Sequence, residues 1–263
     1  MAKIIFLILL IISSIVLLYN AYQFFKGKKE LCETFRNGNC IVFGLKGHGK
    51  DLIFNKVINS RNEHCYANIE YNKELCEKRD IKEFSVSPNT FENVLENNVK
   101  TVKKTNQENT DFYISDGGIF LPSQYSNTLI KKYPSLPIYY ALSRHLTNSN
   151  IHINTQYLGR VWDKLREQAS YFIYAEKTIK LGHYLITYFT IYDNYDTAIN
   201  KEKKIKSSAL LTRAETRAKI EEQESKSGKI KELKIIQKIK SCNYDTRYFH
   251  EVFYGVKANN NTD

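Results

Sequence analysis

Four groups of residues in this 263-residue chain have types and spacing that suit shared chemistry: the run Gly44-Leu45-Lys46-Gly47-His48-Gly49-Lys50, the acids Asp51 and Asp116, the amide of Gln156, and the arginines Arg144 and Arg166. A glycine, four free positions and then Gly-Lys is the spacing of a phosphate-binding loop. The glycines let the backbone curl so that N–H groups, including those opening the next helix at Asp51 and Leu52, face phosphate oxygens; the lysine ammonium reaches the outer phosphates. The hydroxyl residue that usually follows, a magnesium ligand, is replaced by Asp51. A carboxylate also reaches a hard cation, directly or through water. The second acid, Asp116, ends an apolar strand about 65 residues further on, where a magnesium-organising Asp sits in nucleotide hydrolases. Asp51 and Asp116 are therefore the expected Mg2+ side of the site. Many such enzymes follow that Asp with a Glu that polarises the attacking water; here Gly117 and Gly118 follow, so the obvious base is absent. Two plainer readings fit the same letters: a Gly-rich turn with Asp51 as a helix-start residue, and Asp116-Gly117-Gly118 as a turn after a buried strand.

The elements that must position these groups can be read in order. Cys40 to Phe43 is an apolar run entering the loop, and Asp51 to Ser60 reads as a short helix leaving it. Residues 65–70, 81–86 and 111–116 read as strands, 91–102 as a helix, and 103–109 as a polar loop. Ile138 to Leu146 is helical in rhythm and carries Arg144-His145; 151–156 is a strand; Trp162 to Arg166 opens another helix. Strand ends beside a phosphate loop are where α/β proteins place ligand contacts, so Gln156 is expected to orient a water or sense the terminal phosphate. Arg144 or Arg166 would reach a neighbouring subunit's nucleotide. Tyr171–Ala175 and Tyr184–Tyr192 read as a hairpin turning near Leu181-Gly182, with tyrosines that pack or, alternatively, stack on bases.

Outside this core the chain has two charged or apolar appendages. From Ile4 to Leu18 every residue is apolar except Ser13 and Ser14, and aromatics continue to Phe25 before Lys26-Gly27-Lys28-Lys29. About twenty apolar residues suffice to cross a bilayer, and three lysines behind the span against Lys3 in front predict that everything after Lys26 is cytoplasmic. A cleaved signal peptide is the alternative, but its charge bias would be reversed and no small-residue cleavage site follows. The five cysteines are odd in number and lack a Cys-x-x-Cys pair, as in a reducing compartment; a zinc site from Cys65 with His64 or Cys76 lacks ligand spacing. The net charge of +11 points to anionic partners, nucleic acid or membrane. Between Lys201 and Lys240, thirteen Lys or Arg face six Glu, which reads as a basic helical region: a solvated helix, a DNA-phosphate surface or a membrane-facing stretch. The expected organisation is a transmembrane anchor at 1–29, a nucleotide-binding α/β domain at 30–198 with a central, mostly parallel sheet, and a charged helical tail at 199–263.

The order of these pieces resembles the zonular-occludens-toxin-like family, the assembly ATPases of filamentous phages, within the wider group of DNA-pumping P-loop ATPases of the FtsK and HerA type. The resemblance covers roughly residues 38 to 195 and rests on the loop Gly44 to Asp51, the Asn68-Ile69 strand, the strand ending at Asp116, Arg144-His145, and Thr155-Gln156 followed by a helix with Arg166. It implies a P-loop NTPase fold, ATP and Mg2+ as ligands, and a membrane-bound, cytoplasmically facing homo-oligomer at the host inner membrane. It also implies partners, single-stranded phage DNA and other phage assembly proteins, for genome export or packaging, with arginines shared between neighbours. The chain departs from the family at Asp51, at Gly117, and in carrying its span before the domain rather than after it. The first two departures raise a second expectation, a nucleotide-binding scaffold that does not hydrolyse; a third is a membrane-anchored DNA-binding protein.

Overall fold

Eight strands form one sheet in the order β3-β2-β4-β5-β1-β6-β7-β8: β1 Cys40–Phe43, β2 Cys65–Ala67, β3 Ile81–Glu83, β4 Asp111–Ile114, β5 Ile151–Thr155, β6 Tyr171–Leu181, β7 Tyr184–Tyr192 and β8 Lys231–Lys238. This computed structural model describes residues 2–60, 65–67, 81–83, 111–121, 149–208 and 231–239, with isolated positions between 123 and 145. The expected helix at 91–102, Arg144, the Asn68-Ile69 pair and the aromatic tail after 240 lie outside the described residues.

The six strands from β3 to β6 pair in parallel, and β6, β7 and β8 continue antiparallel. Parallel strands are covered on both faces, so they read as apolar runs rather than as alternation; β1, β4 and β5 are buried at every position. Their period of two still sorts side chains between layers. Cys40 and Val42 join Leu31, Phe35, Phe54 and Val57 on one face, while Ile41 and Phe43 join Ile153, Trp162 and Phe172 on the other.

The long helix α1 (Ala2–Asn37) is the one helix among the described residues long and apolar enough to cross a membrane. Its first part stands clear of the domain, with residues 3–19 exposed. It does not stop at the lysines. The helix runs through the expected boundary at 29 into the domain, where Leu31 and Phe35 are fully buried. Phe35 lies 4.5 Å from the ring of His152, meets Phe54 edge-on at 6.0 Å and stacks on Tyr113 at 6.2 Å. Truncating a fully buried Phe typically costs about 3–5 kcal/mol, so Phe35→Ala is expected to lower the unfolding midpoint by a comparable amount in chemical denaturation, although it lies far from the phosphate loop.

The basic C-terminal region is helical over Tyr195–Ser208, as expected, but Lys231–Lys238 is a strand and not part of a helical tail. The three-residue spacing of Ile230, Leu233, Ile236 and Ile239 favours a helix. What wins is the alternation of Leu233, Ile235 and Gln237, all buried where β8 adds to the edge of β7. Two of its cations reach α1: Lys231 pairs with Glu30 at 2.6 Å, and Lys234 donates to Asn20 Oδ1 at 2.7 Å and lies over the Phe24 ring.

Candidate nucleotide site

The glycine loop leaves the sheet at the end of β1 and enters α2 (Lys50–Ser60), as its composition predicts. Gly49 has φ +92, and a Cβ there would stand 2.2 Å from Thr178 Oγ1 on β6, so only glycine serves. Two contacts from β6 hold the loop's far side: Thr178 Oγ1 donates to the His48 carbonyl at 3.1 Å, and His48 Nδ1 lies 3.2 Å from the Ala175 carbonyl. Lys50 is 7% exposed and folds back over the loop, donating to the carbonyls of Gly44 at 3.0 Å and Leu45 at 3.1 Å.

One strand, β5, lies between β1 and β4. At 4.7–4.9 Å per strand the ends of β1 and β4 are roughly 10 Å apart, a span that side chains from the loop, from β5 and from the acidic turn can bridge. Asp116 does not sit on the strand itself. β4 ends at Ile114, and Asp116 occupies a left-handed turn with φ 53, the one non-glycine residue among those described with positive φ. Aspartate is among the few residue types that tolerate this conformation.

Asn154 of β5 joins the two halves. Its amide donates to Asp51 Oδ1 at 2.6 Å and to Ser115 Oγ at 3.1 Å, while its carbonyl oxygen accepts the Asp116 N–H at 2.8 Å. Ser115 Oγ in turn donates to Asp51 Oδ1 at 3.3 Å. Sequence reasoning missed both residues. The available signal was a run of polar side chains, His152, Asn154 and Thr155, on a strand expected to be central: a buried amide needs a partner, and Asn154 is 1% exposed.

The electrostatics follow from burial. Desolvation lowers the Lys50 pKa, against the attraction of Asp51 and Asp116. Desolvation raises the Asp116 carboxyl, Asp51 pushes it further, and Lys50 opposes both. Stability carried by a raised carboxyl is fully present below its unfolded value of 3.8 and is lost as pH rises through its folded value; a lowered lysine gives stability present above 10.5 and lost as pH falls. Both groups therefore burden the ligand-free domain near neutrality. Asp116→Asn is expected to raise the melting temperature at pH 7.5, and the gain is expected to vanish at pH values where Asp116 is itself neutral.

Among the described residues no group of three or more His, Cys, Asp or Glu can hold a metal. Two carboxylates and the Ser115 hydroxyl do suit magnesium as it binds in nucleotide sites, through one or two carboxylates, water and substrate phosphate. The mutual repulsion of Asp51 and Asp116 is the observation that fits a divalent ion.

Gln156 follows the end of β5, beside Gly44 given the Phe43–Thr155 register, and is half-buried. Arg166 is not brought to the loop. Its short helix leads back to the opposite end of the strands, where β6 begins beside Cys40, and its Nη1 donates to Tyr195 Oη at 2.6 Å. Arg160, which sequence reasoning did not select, is exposed on the turn after β5 and stacks on Tyr157 at 4.9 Å.

A glycine loop after a central parallel strand, its lysine, and an acid one strand removed define an α/β fold of the P-loop NTPase class. No family model and no curated protein sequence matches the chain. Among solved structures it is similar to the N-terminal domain of zonular occludens toxin from Neisseria meningitidis, at 13% identity over 62% of this chain and 90% of that one, TM-score 0.41. It is also similar to the genome packaging NTPase B204 from Sulfolobus turreted icosahedral virus 2 in complex with ATP-gammaS, at 14% identity over 60% and 93%, TM-score 0.43. A third likeness is the cytoplasmic domain of the Thermomonospora curvata type VII secretion ATPase EccC, at 11% identity over 59% and 22%, TM-score 0.36.

Proposed function

We propose that the chain is an ATPase anchored in the host inner membrane by α1, with its domain in the cytoplasm, that drives assembly and export, or DNA packaging, of a filamentous phage. The observation that carries the nucleotide chemistry is the buried Lys50 held over the glycine loop, with Asp51 and Asp116 tied to one another through Asn154. Loop amides and Lys50 would hold the phosphates, Asp51 and Asp116 would hold Mg2+, and Gln156 would orient a water. The cation, when bound, neutralises phosphate charge. The phage setting, the homo-oligomer and the DNA and assembly-protein partners rest on the resemblance of the motifs and their order. In that oligomer Arg144 and Arg166 would act on a neighbour's nucleotide, because Arg166 faces away from its own loop.

One observation favours a second reading, a nucleotide-gated scaffold without turnover: a Cβ at Gly117, where a catalytic Glu would stand, would lie 2.2 Å from Ile153 Cγ2. Full-length protein in detergent micelles, given ATP, Mg2+ and single-stranded DNA, is expected to release phosphate. Binding without release under every metal and DNA condition would leave the scaffold as the function.

A further inference from the structure

We propose that the outer face of the ribbon formed by β6, β7 and β8 rests on the surface of the bilayer that α1 enters. The inference rests on α1 being a membrane anchor. The period of two gives the ribbon two unlike faces. The inner one carries Thr178 and Thr187, which pack on the phosphate loop at His48 and Gly49, and Gln237, which donates to the Leu52 carbonyl of α2. On the outer one Ile179, Ile186 and Ile236 stand opposite one another across the three strands, and Leu181 and Tyr184 form the next pair towards the tip. An antiparallel sheet with one face on a core normally turns polar residues outward. Here Ile179 is 43%, Leu181 64% and Tyr184 41% exposed, so this face presents apolar surface instead.

The path of α1 selects the occupant. Leu31 and Phe35 belong to the inner-face core with Phe54 and Leu233. One turn outward, Gly27 passes the edge of the ribbon, where a Cβ would lie 2.1 Å from the Lys234 carbonyl oxygen. Beyond it, Phe24 and Asn20 meet the side chain of Lys234, which stands in one rung with Tyr188 and Lys177 on the outer face. From the domain outward, the helix thus crosses from the inner layer to the outer side as it enters its apolar run, and the bilayer lies on the side that the isoleucines face. None of the three rungs from Lys177 to Leu181 holds a carboxylate, whose desolvation would oppose contact with lipid. Tyr184 and Tyr188 suit the interface, where amphipathic rings collect, and the lysines are long enough to keep their ammonium groups among the headgroups. Adjacency to the span favours lipid over a second copy of the chain.

The test uses the full chain in vesicles of phosphatidylcholine and phosphatidylglycerol. The chain has one tryptophan, Trp162, fully buried in the core, so an indole introduced by Leu181→Trp or, separately, by Tyr184→Trp reports the face against a constant background. Both positions are exposed, and an unchanged melting temperature is expected. Fluorescence of the introduced indole is expected to lose intensity when the phosphatidylcholine carries bromine on its upper acyl-chain carbons, while the wild-type signal stays the same. Absence of bromine quenching in both variants overturns the proposal. Acrylamide added to the water then tells what covers the face: an indole that it quenches faces solvent, and one that it does not reach is covered by protein, a second copy or another segment of this chain. Retention in the vesicles after alkaline extraction reads the anchor separately: a chain that washes off removes the anchor and the docked face together, whereas one that stays without bromine quenching removes only the docked face.

Discussion

Lys50→Ala is expected to lower ATP affinity by more than about 100-fold in isothermal titration. A hydrogen bond to a charged group contributes about 1.5–3 kcal/mol, and an ammonium bridging two phosphate oxygens makes two. In the ligand-free chain the same ammonium satisfies the carbonyls of Gly44 and Leu45, so the variant also leaves the buried Gly44 acceptor without this donor. A stability loss of about 1–3 kcal/mol is expected from this. Lys50→Met separates the effects, because it fills the volume without the charge: both variants are expected to lose binding, and melting curves show whether either still folds. Affinity within a few-fold of wild type in a folded Lys50→Met protein would end both nucleotide readings.

Gly117→Glu, the substitution that would supply the missing base, is expected to destabilise the protein without speeding phosphate release. The added Cβ would meet Ile153 at 2.2 Å beneath the acidic turn, and overpacking of this kind costs about 1–3 kcal/mol. For a domain of this size that lowers the melting temperature by about 2–12 °C. Gly117→Ala is expected to carry most of the loss, since the clash is with Cβ and not with the carboxylate. Adding Ile153→Val, which removes one methyl from the same side chain, is expected to recover part of it. A stable Gly117→Glu protein with faster phosphate release would mean that the turn after β4 has a different shape.

Much of the site was legible because its chemistry is local. Gly44 to Lys50 is a contiguous loop whose glycines and lysine carry their own geometry, and the strand before Asp116 announces itself by the run Phe112-Tyr113-Ile114. The bridge by Asn154 was not legible, because it depends on which strand lies between β1 and β4, and strand order is set by long-range pairing rather than by neighbouring residues. The distance of Arg166 from its own loop was not legible for the same reason: its helix is readable, but the direction in which the chain runs back to Cys40 is not. For Lys231–Lys238, two periods are present in one segment, and only the open edge of β7 decides between them.

The amino-acid order alone determined the phosphate loop, the membrane-length apolar helix, the two acids and the mostly parallel α/β sheet, since each follows from backbone freedom, periodicity or burial within a few residues. Tertiary structure decided that α1 continues as a core helix through Leu31 and Phe35, that β8 fastens it to the domain, and that Asp51 and Asp116 share Asn154. These outcomes depend on contacts between segments far apart in the chain, where the gain from burying one surface is fixed by the shape of another.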